Sequence, residues 1–165
     1  MKNYKETITL NKNKRGCYIL DTVKGCSGGI LNCNKGCYGD CYAKNIADRY
    51  RFNFLDPKNR NINNEKYQMF LFGLKDQTHT NKIVKQIKSM DMPFVRIGEM
   101  GDPSENWEHT IYVCKEISSS GKKIVIVTKH WNLISDNILK DISCLDLCIN
   151  TSISAIDDDE QIHMR

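Results

Sequence analysis

The chain has 165 residues and carries 24 lysines and arginines against 20 aspartates and glutamates, a formal net charge of +4. That length suits one domain with its own hydrophobic core, and 40% hydrophobic and 27% charged residues with a mean hydropathy of −0.51 exclude a disordered or collagen-like chain. No run approaches the roughly 18 apolar residues of a membrane span, and Met1-Lys2-Asn3-Tyr4-Lys5-Glu6 holds no signal-peptide core, so the expected location is cytoplasmic.

Eight cysteines stand out. At about 5% they fall below the roughly 8–10% of a secreted disulfide scaffold. In a chain expected inside the cell, clustered cysteines point to metal or redox chemistry rather than bridges. Cys17, Cys26, Cys33, Cys37 and Cys41 lie close together, whereas Cys114, Cys144 and Cys148 are scattered. The scattered three and Cys17 read as buried small hydrophobes. Residues 1–15 form a basic segment in which Lys2, Lys5, Lys12, Lys14 and Arg15 face Glu6 alone. That segment reads as solvated, with phosphate contact the alternative, and residues 16–165 read as one domain.

In chain order, residues 18–23 are a short β-prone run ended by Gly25 and the Cys26-Ser27-Gly28-Gly29 turn. After the cysteine loop, Ala43, Ile46, Ala47 and Tyr50 recur at helical spacing. Residues 51–64 read as a surface connection, and the apolar run 67–74 fits strand or helix. A helix carrying Ile83, Val84, Ile87 and Met90 precedes a strand at 94–97. The next helix is expected from Asp102, with Pro103 in its first turn and Glu105 completing a capping-box pattern. Trp107, Thr110, Ile111, Cys114 and Ile117 form its buried face, and Gly121 closes it. A strand at 124–128, a helix capped by Ser135 with Ile138, Leu139 and Ile142 inward, and a strand over 145–150 complete the pattern.

This repeated βα pattern predicts an α/β domain built on a parallel sheet of about four strands. Chemistry in such folds gathers at the C-terminal ends of the strands. Those ends hold the cysteine loop; Gly98, Glu99 and Asp102; Thr128, Lys129 and His130; and Asn150, Thr151 and Ser152. Asp102 reads first as a helix cap, and His130 leans towards function. His79, His109 and His163 read as surface residues.

Cys33-Asn34-Lys35-Gly36-Cys37-Tyr38-Gly39-Asp40-Cys41 is a C-x3-C-x3-C run. Gly36 and Gly39 favour a loop wrapped around a centre, and thiolates select zinc or iron–sulfur clusters. Two separated cysteine pairs would suit structural zinc; three thiolates in one loop better suit a cubane with one iron open. Cys26 is a candidate fourth ligand or a plain thiol.

The glycine-flanked cysteine loop after a first strand, followed by a helix, resembles the cluster loop of radical S-adenosylmethionine (SAM) enzymes, with one residue more in its second gap than the usual C-x3-C-x2-C. Gly36-Cys37-Tyr38-Gly39-Asp40-Cys41-Tyr42-Ala43 is similar to phage- and prophage-associated radical SAM-like proteins, and Arg96-Ile97-Gly98-Glu99 partly matches the family's Gly-Gly-Glu segment. The resemblance implies a partial TIM-like (β/α)6 barrel over residues 16–165, short of strands at its C-terminal side, its open sheet edge covered by an oligomer or partner chain. It implies a [4Fe-4S] cluster on Cys33, Cys37 and Cys41, SAM bound to the open iron, and an enzyme that cleaves SAM reductively to a 5′-deoxyadenosyl radical for hydrogen abstraction. Tyr42, Gly98, Glu99, Lys129, Asn150 and Ser152 would contact the cofactor, and flavodoxin or ferredoxin would supply the electron. The alternative is a non-enzymatic zinc- or iron–sulfur-binding module that contacts nucleic acid.

Overall fold

The computed structural model describes residues 7–28, 41–60, 62, 78–129 and 132–151. In order, the elements are β1 (Leu10–Lys12), β2 (Tyr18–Leu20), β3 (Val23–Lys24), α1 (Tyr42–Arg49), β4 (Lys58–Asn59), α2 (Thr78–Ser89), β5 (Phe94–Ile97), a 3-10 turn (Pro103–Asn106), α3 (Trp107–Ser118), β6 (Lys123–Thr128), α4 (Asp136–Ser143) and β7 (Leu147–Thr151). The 67–74 run lies outside the described residues.

Among the described residues, five strands form one sheet in the order β1-β2-β5-β6-β7, and β3 and β4 form a separate two-stranded ribbon. The steps β2 to β5, β5 to β6 and β6 to β7 are parallel, so the α/β expectation with a parallel sheet holds. The fifth strand was not foreseen: β1 runs antiparallel to β2, with Leu10 opposite Leu20 and Lys12 opposite Tyr18. It lies inside the basic segment. Lys12 Nζ stands 4.8 Å from the Tyr18 ring centroid and 3.5 Å from Asp91, so this charge sits at the N-terminal end of the sheet, opposite the strand ends expected to carry chemistry.

Register explains the core. Leu20, Ile97, Ile126 and Ile149 align across the four parallel strands, as do Val95, Ile124 and Leu147 across three. These residues share one apolar cluster with Ile83 and Ile87 of α2, Ile111, Cys114 and Ile117 of α3 and Ile138 of α4. The three helices therefore cover one face of the sheet. The other face carries Ile19, Arg96, Val125 and Cys148 in register, and the last three are only half-buried. No described helix is long and apolar enough to cross a membrane.

The helix expected from Asp102 is divided. Asp102 accepts the Ser104 N–H and caps the 3-10 turn, whereas Asn106 accepts the His109 N–H and caps α3 itself. Ser135 does occupy the N-cap position of α4, but its hydroxyl makes no capping bond. Cys114 is fully buried as expected, Cys17 and Cys148 are half-buried, and Cys144 is exposed because it ends α4 rather than facing the core. His109 is half-buried rather than fully exposed, and its Nε2 lies 2.7 Å from the Arg60 carbonyl oxygen.

Gly98, directly after β5, has a φ of +100°, and a Cβ there would sit 2.5 Å from the Val127 carbonyl oxygen and 2.9 Å from Pro103 Cγ. Backbone strain and overpacking would act together, so Gly98→Ala should cost about 3 kcal/mol in urea unfolding. A loss below about 1 kcal/mol would show that this close approach is soft.

Candidate functional site at the strand ends

Two buried carboxylates organise the C-terminal ends of the parallel strands. Asp21 follows β2 directly and is 6% exposed. It accepts the N–H groups of Glu99 at 2.7 Å and Met100 at 3.2 Å. Burial pushes its carboxyl above the ordinary range, while those two N–H bonds and the Arg60 charge pull the other way. Asp102 is equally buried. One of its oxygens accepts the Ser104 N–H at 3.0 Å and the Thr128 hydroxyl at 2.6 Å. The other accepts the Lys129 N–H at 2.8 Å. Asp21 thus staples the end of β2 to the segment after β5, and Asp102 staples that segment to the end of β6.

The chain leading to the cysteine loop joins the same structure. The Gly25 N–H donates to the Met100 carbonyl at 3.0 Å, and the Asp102 N–H donates back to the Gly25 carbonyl at 3.2 Å. Gly101 lets the backbones meet, since a Cβ there would stand 2.8 Å from the Gly25 oxygen. One residue further on, the Cys26 N–H donates to the Phe54 carbonyl at 2.8 Å. Glu105 then receives both the N–H and the hydroxyl of Ser27, the latter at 2.9 Å.

Cys26 and Cys41 come together in a small apolar cluster with Ala43, Ala47, Phe52, Phe54 and Met100. Neither is in a disulfide; Cys26 is buried and Cys41 half-buried. Burial drives the Cys26 thiol strongly upward, and the charges of Asp102 and Glu105 push the same way, so this sulfur stays protonated at neutral pH. Cys41 is the N-cap residue of α1, and its side chain makes no capping bond. Cys33, Cys37, Ser152 and His130 lie outside the described residues. Among the described residues no three His, Cys, Asp or Glu side chains gather closely enough to hold a metal ion.

The expected cofactor residues are placed unevenly. Tyr42, the first residue of α1, donates its hydroxyl to the Glu99 carbonyl at 2.7 Å, joining the cysteine-loop helix to the end of β5. Burial, then the Glu99 charge, pushes this phenol up to about 12, so it remains a donor. Lys129 is held by its backbone N–H, and its side chain is half-buried. Asn150, near the end of β7, is exposed and accepts the Cys148 thiol at 3.3 Å. Tyr42 and Glu99 are thereby brought together.

Asp21 escaped the sequence reading. Its one signal was a charge placed within an otherwise β-prone apolar run. Asp102 was read as a cap, which it is, but its bonds to Thr128 and Lys129 depend on β5 and β6 lying side by side.

Tyr42→Phe should lower the unfolding free energy by about 1 kcal/mol, the usual worth of one hydrogen bond, with the circular dichroism spectrum unchanged. A neutral substitution would mean that apolar packing alone seats α1 on the end of β5.

No protein-family model, curated protein or solved structure matches the chain.

Proposed function

We propose that this protein is a radical SAM-type protein, with a [4Fe-4S] cluster held by Cys33, Cys37 and Cys41 and SAM bound over the strand ends. The observation that carries the reading is the Tyr42 hydroxyl on the Glu99 carbonyl. It links the residue after the third cysteine of the loop to the glycine–glutamate segment that the resemblance assigns to SAM. The sheet supports it as well: parallel strands in sequential order with the helices on one face suit a partial TIM-like (β/α)6 barrel. A second chain covering the edge of β7, which no described strand pairs with, belongs to the same reading.

The donor set fits the cluster. Three soft sulfurs spaced C-x3-C-x3-C with two intervening glycines match its ligand chemistry, and Cys26 is the candidate for a fourth ligand. When bound, the cluster supplies the electron, delivered by flavodoxin or ferredoxin, that cleaves SAM to methionine and a 5′-deoxyadenosyl radical.

The chain's own residues position and shield. Glu99 offers its carboxylate to the amino group of SAM, and Asp21 and Tyr42 fix the Glu99 backbone at its N–H and its carbonyl. Gly98 lets that segment lie close against β6. Lys129 offers a cation to the SAM carboxylate from a backbone fixed by Asp102, and Asn150 and Ser152 add polar contacts. Catalytic precision of this kind depends on groups locked before the ligand arrives.

Anaerobic purification with iron and sulfide tests the reading. The expected product is brown, bleaches with dithionite and cleaves SAM. A colourless protein carrying stoichiometric zinc would sink it in favour of a structural metal module.

A further inference from the structure

The sheet face turned away from α2, α3 and α4 is apolar around one guanidinium. Ile19, Arg96, Val125 and Cys148 form a single row across the four parallel strands, because paired residues point to the same side. Two residues further along this face, Val127 stands opposite Asn150. Ile19 is 2% exposed, whereas Arg96, Val125, Val127 and Cys148 are half-buried. A sheet face that meets only water ordinarily alternates in polar residues. Lys123, on the same side of β6, is exposed at the far, N-terminal end of that strand.

Arg96 is aimed by its own strand. Its Nε donates to the Gly98 carbonyl at 3.1 Å, which carries the guanidinium towards the C-terminal strand ends, where the Tyr42 phenol feels its charge. Among the described residues that is the one hydrogen bond of this side chain, and no carboxylate, Glu99 included, forms an ion pair with it. An arginine stem can lie along apolar surface with its head in water. That accounts for the stem and leaves the apolar neighbours on either side of it unexplained.

We propose that Arg96 anchors a substrate with one carboxylate and an apolar body, the carboxylate on the arginine fork and the body along Val125, Val127 and Cys148. Small-molecule sites take this form, apolar walls with one or two placed polar groups. The planar fork accepts a carboxylate through two parallel N–H bonds. One arginine neutralises one carboxylate. A phosphate monoester, at about −1.5 to −2 near neutral pH, would leave uncompensated charge on an apolar face close to Glu99. Calling the ligand a substrate rests on the radical SAM reading, which puts the reaction at these strand ends and gives the carboxylate of SAM to Lys129. Binding to Arg96 requires no cluster.

Hexanoate is the probe. Titrated into the anaerobically purified protein, it should shift the Arg96 Nε–Hε resonance saturably in a nitrogen–proton correlation spectrum. Hexanol, the same body without the charge, should bind at least about tenfold more weakly, and inorganic phosphate should also bind more weakly than hexanoate. Arg96→Gln should weaken hexanoate binding by at least about tenfold, and Arg96→Lys, which keeps the charge and loses the fork, by less. Lys123→Gln should change nothing, and saturating SAM should leave the hexanoate shift in place. The proposal is overturned if hexanoate binds no better than hexanol, or if phosphate binds as tightly as hexanoate. It is equally overturned if Lys123→Gln loses as much as Arg96→Gln, or if SAM displaces hexanoate, the result expected were Arg96 to hold the carboxylate of SAM. The hexanol and phosphate comparisons use wild-type protein, so they decide the matter even where Arg96→Gln folds poorly. An iron-free protein that binds hexanoate through Arg96 would overturn the cluster reading and keep the carboxylate site.

Discussion

Asp102→Ala is expected to lower the unfolding free energy by about 3–4 kcal/mol, among the largest single-residue losses this chain can show. The carboxylate accepts from Ser104 N–H, Thr128 hydroxyl and Lys129 N–H. Removing it leaves donors in or beside a buried position without acceptors, and each such group costs about 1–3 kcal/mol. The terms overlap because the loop can relax, so they do not add in full. Asp102→Asn keeps one acceptor oxygen and turns an NH2 group towards the remaining donors, so an intermediate loss of about 2 kcal/mol is expected. Urea unfolding at neutral pH measures both. If alanine and asparagine prove equally mild, below about 1 kcal/mol, Asp102 is only the cap of the 3-10 turn.

Cys41→Ala should abolish the cluster while leaving the chain folded. Cys41 is half-buried at the rim of a small cluster, so its loss costs little packing, about 1 kcal/mol or less. Iron and sulfide retained after anaerobic reconstitution should fall to background, and SAM cleavage with them. Cys26→Ala is the informative contrast. Its sulfur is buried, and the proposed set of three ligands does not include it, so the variant should retain iron, at a packing cost of about 1–2 kcal/mol. Loss of iron from both variants would make Cys26 a fourth ligand and leave no open iron for SAM.

Much of the fold was legible because its signals are local. The apolar strands at 94–97 and 124–128 and the inward face of α3 follow from periodicity and punctuation within about a dozen residues; in α4 only Ile138 is buried, and Leu139, expected inward, is 49% exposed. What escaped is short or non-local. β1 is three residues long, Leu-Asn-Lys, with two of them exposed, and carries no alternation to read. β3 and β4 have two residues each and form only through their pairing. At the strand ends, Tyr42 was singled out through the resemblance around Cys41 and Glu99 through the partial match at Arg96-Ile97-Gly98-Glu99. Their meeting was not, because it joins residues 57 positions apart. Asp21 was invisible for the same reason: its partners lie on the far side of a long crossover.

That crossover also orders the site in time. The Asp21 staple to Glu99 closes a stretch of 78 residues, whereas the Asp102 staple to Thr128 closes 26. A threefold longer loop costs about 1 kcal/mol more in closure entropy, and it includes the whole cysteine loop. The β5–α3–β6 unit therefore has the shorter route to its native contacts, and the β2 side docks onto it afterwards. Pulse-labelled hydrogen exchange during refolding should find the Lys129 amide protected before the Glu99 amide. The segment assigned to SAM takes its final position only when the two ends of this long crossover have met, so the Glu99 side of the strand-end site is expected to become native after the Asp102 side.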